Sequence, residues 1–377
     1  MKIVIAIDSF KGCASSVELA NAIERGMRVV YPNGEVLTCP VADGGEGTVE
    51  ALSFSDGAKM QSLTCKGPLG DEVNAIYTIL KDKTAVIEMA AASGLPLIPI
   101  SKRDPSITST YGTGEIIKDA ILKGCREFII GLGGSATNDA GLGMLRALGF
   151  KFLDQQNEEV KYAKNLSEIV KIERSNVIKE LYECNFSIAC DVTNPLYGEN
   201  GASVIYGPQK GADAEKVNFL DAQHSAFAKF VAKENGIDFS TYPGAGAAGG
   251  LGFGFVSFLN AHLKSGIKII LDKVGLHKMI CDADFVITGE GKVDEQSVMG
   301  KVIDGISTVC KKQNTPCLVI AGHCDDATAN IHEKGVTSVF SILSKPMSLE
   351  EAMDKKTALR LMEKKSEQIF RLISSIR

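Results

Sequence analysis

The sequence has 377 residues, 45% hydrophobic and 23% charged, with a formal net charge of −5. At about 150 residues per domain, that length predicts two domains, each large enough to bury a core without staples. Lysines alternate with acids, as where Lys355, Lys356, Lys364 and Lys365 run among Glu350, Glu351, Asp354, Glu363 and Glu367. That mixture reads as a solvated helix face and excludes a nucleic-acid partner.

Ten cysteines include no Cys-x-x-Cys pair, and five histidines form no His-Glu-x-x-His. Scattered thiols of this kind predict a cytoplasmic protein with no disulfides and no metal cage made by the protein. The opening apolar run, Ile3 to Ile7, is too short for a signal peptide and reads as a buried first strand. No stretch approaches the roughly 18 apolar residues of a membrane span.

In chain order, a strand at Lys2–Ile7 precedes a helix at Ser15–Val30, whose Val17, Ala20, Ile23, Met27 and Val30 share one face. A strand at Glu35–Val41 and a helix from Gly44 to Leu52 continue the alternation, which implies a parallel sheet. Glu72–Leu80 and Thr84–Met89 then read as an antiparallel hairpin. A Pro- and Ser-rich stretch leads to a helix at Gly114–Lys123, a strand at Glu127–Ile130 and a helix at Ala140–Leu148. Residues 151–185 read as a surface excursion, and Phe186–Ala189 as a short strand. Ile267–Leu271 reads as a later strand ended by Asp272.

The last hundred residues return to the opening rhythm. Strands are expected at Asp284–Ile287, Pro316–Ala321 and Val336–Ile342. Helices are expected from about Gly300 to Lys312, up to Lys334, and in a long final segment opened by a Ser348/Glu351 capping box. The fold expectation is therefore α/β with two domains. A doubly wound parallel sheet built from both chain ends (residues 1–60 plus 275–377) carries an inserted mixed-sheet α/β domain (61–274).

Ligands of open parallel sheets sit beyond the carboxyl ends of the strands. Three such ends carry acids and glycines, two of them with lysine: Asp8-Ser9-Phe10-Lys11-Gly12, Asp43-Gly44-Gly45-Glu46-Gly47-Thr48, and Gly289-Glu290-Gly291-Lys292-Val293-Asp294. In the insertion, Gly131 to Asp139 joins a strand to a helix, a junction that suits an anion. It contains Gly133, Gly134, Ser135, Asn138 and Asp139. Asp191 to Gly198 includes Asn194, and Gly207 to Gly211 includes Gln209 and Lys210. Gly244 to Gly254 is the densest glycine run; its Gly244, Gly246 and Gly249 spell G-x-G-x-x-G, with Gly250 beside them. A dinucleotide site needs a strand directly before those glycines, and Asp238 to Pro243 is too short and polar for one. No Walker A motif and no protein-kinase signature occurs. Lysines, acids and glycine loops suit phosphoryl transfer and would equally suit other phosphate-ligand enzymes.

Taken together and in order, these segments closely resemble the bacterial glycerate kinase family. Gly67-Pro68-Leu69-Gly70, Glu88 to Leu95 and Ser341 to Leu349 extend the resemblance over nearly the whole chain. Cys13 and Lys292 depart from the family's common serine and arginine, and a lysine cannot repeat a bidentate arginine contact. The resemblance implies a flavodoxin-like domain interrupted by a second one. It implies ATP- and Mg²⁺-dependent phosphorylation of D-glycerate, usually at the 2-hydroxyl. On that reading Lys11 and Lys210 neutralise phosphate or carboxylate, and Asp8, Asp43 and Glu290 supply Mg²⁺ contacts. Asp191 is the expected general base. Ser9, Gly12, Gly44, Gly45, Glu46, Gly246, Asp294 and the two loops bind substrate or nucleotide. Partners are small molecules only, and a homo-oligomer stays open. The rival readings are phosphorylation at the 3-hydroxyl or of a related acid, an NAD-dependent hydroxy-acid dehydrogenase, and a non-catalytic sugar-acid sensor.

Overall fold

The structure is a computed structural model and describes residues 1–294, 301–325 and 330–376. The chain divides into two compact units. The first comprises Met1–Asp43, Glu50–Ser55 and Ser265–Arg377; the second comprises Gly44–Val49 and Asp56–Lys264. The crossings thus fall at 43/44, 49/50, 55/56 and 264/265, against the single cuts near 60 and 275 expected from sequence.

The first unit holds a five-stranded parallel sheet. Its spatial order is Val336–Ser341, Cys317–Ala321, Phe285–Thr288, Lys2–Ile5, Glu35–Thr38. The opening strand is buried on both faces, which explains its unbroken apolar run. Ile3, Ile5 and Ile7 pack with Leu19, Ile23, Leu361 and Phe370, from the helices Ser16–Arg28 and Lys355–Ile376. Val4 and Ala6 face the other way, toward Ile267, Leu271, Val302 and Ile306. Period-two alternation therefore feeds two helical layers from one strand.

The helix Ser16–Arg28 opens with a full capping box. Ser15 Oγ accepts from the Glu18 N–H at 3.3 Å, and the Glu18 carboxylate accepts from the Ser15 N–H at 2.9 Å. Glu18 is also paired with Lys355 at 2.9 Å. Gly26 lies where the helix crosses the C-terminal one: a Cβ there would stand 2.3 Å from the Glu363 carbonyl oxygen.

Two expectations in this unit are corrected. Ile267–Leu271 belongs to a helix, Gly266–Val274, not a strand; a short apolar run fits either period, and Ile267, Ile270, Leu271 and Val274 follow the helical one. Asp272 therefore ends no strand. The final helix is broken: Leu349–Met353 stops at Asp354, whose backbone is extended, and Lys355–Ile376 begins beyond it. The Asp354 carboxylate accepts from the Thr357 N–H at 2.9 Å and so caps the second segment. Only half of the Ser348/Glu351 box forms, because the Glu351 carboxylate lies 3.2 Å from Lys345 instead. The helix expected to run up to Lys334 lies in part outside the described residues.

The second unit holds a six-stranded mixed sheet, ordered His262–Lys264, Asn185–Ala189, Glu127–Gly131, Thr84–Glu88, Glu72–Ile79, Lys59–Lys66. The first four strands are parallel and the last two antiparallel. The hairpin read from sequence forms, with Thr78 opposite Val86. The edge strand Lys59–Lys66 was not foreseen, since its mostly exposed face carries no clear apolar alternation. A long helix, Ala214–Asn235, was also passed over. Asp213 caps its start, and left-handed Gly236 ends it.

Candidate active site

In the first unit's sheet, chain order reverses between Lys2–Ile5 and Phe285–Thr288. One neighbour of the opening strand is the next strand in sequence; the other comes some 280 residues later. Ligands bind at the carboxyl ends flanking such a switch point. The loops leaving these two strands carry Asp8 to Gly12 and Gly289 to Asp294. Asp43 follows the neighbouring strand Glu35–Thr38.

These groups line one cavity of about 600 Å³, in the range of small-molecule sites. Asp8 is 4% exposed. Burial, with the nearby carboxylates of Asp43 and Glu290, pushes its carboxyl up to about 7, against the Ser9 N–H and Lys11. That N–H donates to Asp8 Oδ1 at 2.7 Å. The Lys11 ammonium stands 3.3 Å from Asp43 Oδ2 and is half exposed. Gly12, left-handed at φ 73°, closes the turn that aims Lys11 outward. Lys292 pairs with Asp325 at 2.9 Å and Asp294 at 3.5 Å. Lys301, Phe10, Cys13 and His323 also line the cavity, as do residues from the segment 342–353. Phe10, Cys13 and Ser341 to Leu349 belong to segments already marked by the sequence, whereas Ala352 and Met353 were not singled out, because nothing local marks an apolar residue as a cavity wall.

The second unit gathers the other glycine segments, and here the glycines serve the chain's own close packing. A Cβ on Gly249 would lie 1.9 Å from the Thr137 carbonyl oxygen. One on Gly246 would lie 2.2 Å from that of Pro195, and one on Gly131 2.2 Å from that of Gly44. Gly133 approaches Gly45 in the same way, and Gly250 approaches Ala140. Ala248, Gly249 and Gly250 are all left-handed. No strand precedes Gly244, so the dinucleotide fingerprint lacks its frame.

Asp139 is fully buried and ties this loop together. It accepts from the N–H groups of Thr110 (2.8 Å), Gly141 (3.2 Å) and Gly143 (3.0 Å) and from the Thr110 hydroxyl. Lys210, expected to meet phosphate or carboxylate, is only 1% exposed, and its ammonium donates to the Thr137 carbonyl at 2.7 Å. Burial lowers its pKa to about 7, although Asp139 pulls the other way. Buried His224 meets the Asn138 carbonyl at 2.8 Å, and burial lowers it to about 4, so it is neutral. Asn138 donates to Ser203 at 2.9 Å. Asp191 is exposed beyond the strand Asn185–Ala189. Asn194 beside it bonds the Asn200 carbonyl and the Tyr206 hydroxyl. Glu88 accepts the Val49 N–H at 2.8 Å, next to Glu46 and Gly47.

The structure thus brings Asp8, Ser9, Lys11, Asp43, Glu290 and Asp294 to one cavity. It lays Gly44, Gly45, Gly133, Gly134, Ser135, Asn138, Asp139, Asn194, Gln209, Lys210, Gly246, Gly249 and Gly250 in the second unit.

Comparison with known proteins gives a consistent result. The model of the glycerate kinase family matches residues 3–374. The chain belongs to the glycerate kinase family. It is 47% identical over 354 residues to glycerate 2-kinase of Escherichia coli K12, covering 93% of each chain. It is 44% identical over 359 residues to a glycerate kinase of Halalkalibacterium halodurans, covering 95% of this chain and 94% of the relative. A crystal structure described as a "putative glycerate kinase 2" from Salmonella typhimurium LT2 superposes with a TM-score of 0.91 at 41% identity. That likeness covers 100% of this chain and 98% of the other. As a glycerate kinase family member the chain is a kinase, which sets aside the dehydrogenase and sensor readings. No helix among the described residues is long and apolar enough to cross a membrane.

Proposed function

We propose that this kinase transfers the γ-phosphoryl group of ATP to the 2-hydroxyl of D-glycerate, giving 2-phospho-D-glycerate and ADP. The observation that carries the reading is the acid–lysine cluster on both sides of the switch point, in a chain of this family. The names of the relatives support the acceptor, and "glycerate 2-kinase" at 47% identity supports the position.

The residues present fit Mg²⁺. Asp8, Asp43 and Glu290 offer only carboxylate oxygens; burial first, and then the charges of Asp43 and Glu290, raise the Asp8 carboxyl, and a dication would relieve that repulsive part. Among the described residues no three side chains form a ready metal cage. Mg²⁺ binds through one or two carboxylates plus substrate phosphates and needs none. When bound it would draw charge from the phosphate oxygens.

The chain's own groups divide the remaining work. Lys11 neutralises phosphate charge. Asp191 is the proposed base that takes the proton of the attacking hydroxyl. Lys210, buried on the Thr137 carbonyl, holds the 131–139 loop rather than meeting a ligand. The test is to mix purified protein with ATP, Mg²⁺ and D-glycerate and follow ADP, with NMR of the product. ADP formed only with D-glycerate, and phosphorus on the 2-oxygen, are the expected results. No acid-dependent ADP would end the reading, and a 3-phosphate would redirect it.

A further inference from the structure

The cavity at the switch point has two unlike ends. One holds Asp8, Asp43, Glu290 and Lys11. The other is apolar, built by Phe10, Leu343, Met347, Leu349, Ala352 and Met353. Much of this second end comes from the short helix Leu349–Met353 and the segment leading into it. That helix exists as a separate piece because Asp354 breaks the chain's last helix. Leu349 is 76% exposed and Met353 41% exposed, both at the cavity. Exposed apolar side chains gathered at a cavity mark a ligand surface better than scattered ones do. Met353 also reaches back to the lysine turn, with its Cε 3.5 Å from where a Gly12 Cβ would stand. The two ends are therefore adjoining parts of one wall.

Resting on the kinase reading above, we infer that this wall receives the base and sugar of the nucleotide, with the phosphates directed to Lys11 and the carboxylates. Three observations favour a nucleotide over the hydroxy acid as its occupant. The cavity, at about 600 Å³, is far larger than a three-carbon acid requires. A small anion gains nothing from Leu, Met and Phe side chains, whereas a planar base buries both faces against them, and thioethers pack well on aromatic rings. Three carboxylates repel a bare carboxylate, while a nucleotide brings its phosphates already bound to a dication. The N-terminus of the helix Ser16–Arg28 does not line the cavity, and Ser15 with Glu18 caps it.

Two measurements test this. Cys13 lines the cavity and is half-buried, so its alkylation by iodoacetamide, followed by peptide mapping, reports occupancy without turnover. Mg²⁺ with ADP is expected to slow it at least fivefold, and D-glycerate to leave it within twofold. In Met353→Glu, at a position 41% exposed, KM for ATP is expected to rise tenfold or more, with KM for D-glycerate within twofold and an unchanged urea midpoint. Cys13 unprotected by Mg²⁺–ADP, protection by D-glycerate as strong as by ADP, or a rise confined to the D-glycerate KM would overturn the assignment. If no D-glycerate-dependent ADP forms, the acceptor proposal fails, yet Cys13 protection still decides where the nucleotide binds.

Discussion

Asp8 and Lys11 sit three residues apart and illustrate what a side chain gives up to serve a site. The Asp8 carboxyl, raised to about 7, ionises more easily in the unfolded chain. The folded state therefore binds the extra proton between about pH 4 and 7, and its stability falls as pH rises through that window. Asp8→Asn is expected to stabilise the protein by about 2–4 kcal/mol at pH 8. At pH 5 the gain should shrink by about half, while activity is lost at both. Urea melts at the two pH values check this; a pH-independent difference would exclude the electrostatic cause. Lys11→Ala and Asp191→Asn should each lower kcat by about 10² or more, and a variant within twofold of the parent would lose its assigned role. These acids and lysines were legible in the sequence because they follow strand ends in glycine-bearing turns. The burial of Lys210 was not legible: a lysine in a Gly-Pro-Gln-Lys-Gly turn looks exposed until the Thr137 carbonyl is seen beneath its ammonium.

At the scale of elements, periodicity gave the five parallel strands and the hairpin, since both write strong period-two or buried patterns. It misplaced Ile267–Leu271, where five residues fit a strand and a helix equally well. It also missed the break at Asp354, because the apolar stripe of the last helix continues past a residue that caps as readily as it extends. Nor did the glycine runs disclose their purpose. Gly246 and Gly249 were read as room for a ligand, and the space is taken by the backbone of Pro195 and Thr137. Gly26 belongs with them, as a helix glycine that permits a crossing. Gly26→Ala gains helix propensity of up to about 1 kcal/mol. It also places a methyl against the Glu363 carbonyl, an overpacking that costs about 1–3 kcal/mol. A net loss is expected in a denaturant titration with unchanged m; equal or greater stability would mean the two helices can part freely.

At the scale of the whole molecule, the discontinuous first unit was foreseeable from a rhythm that stops and resumes, whereas its four crossings were not. The crossing at 43/44 falls at the start of the glycine run Gly44 to Gly47, and that at 49/50 falls within the helix Thr48–Ser53. The first has the Gly-rich, polar composition of a linker, whereas the second, inside a helix, does not. Each unit carries its own buried core. A chain ended at Lys264 is accordingly expected to yield a protease-resistant fragment near 56–264 while residues 1–43 are digested. Survival of 1–43 would refute that independence. The pairing of Ile3 with Phe285 sets a delay on synthesis as well. At roughly 5–20 residues per second, the isoleucine-rich start of the nascent chain leaves the ribosome tens of seconds before its central neighbour exists. Until then only Glu35–Thr38 can pair with it, its other edge stays open, and the yield of this enzyme in a cell should track how well chaperones shield those first residues.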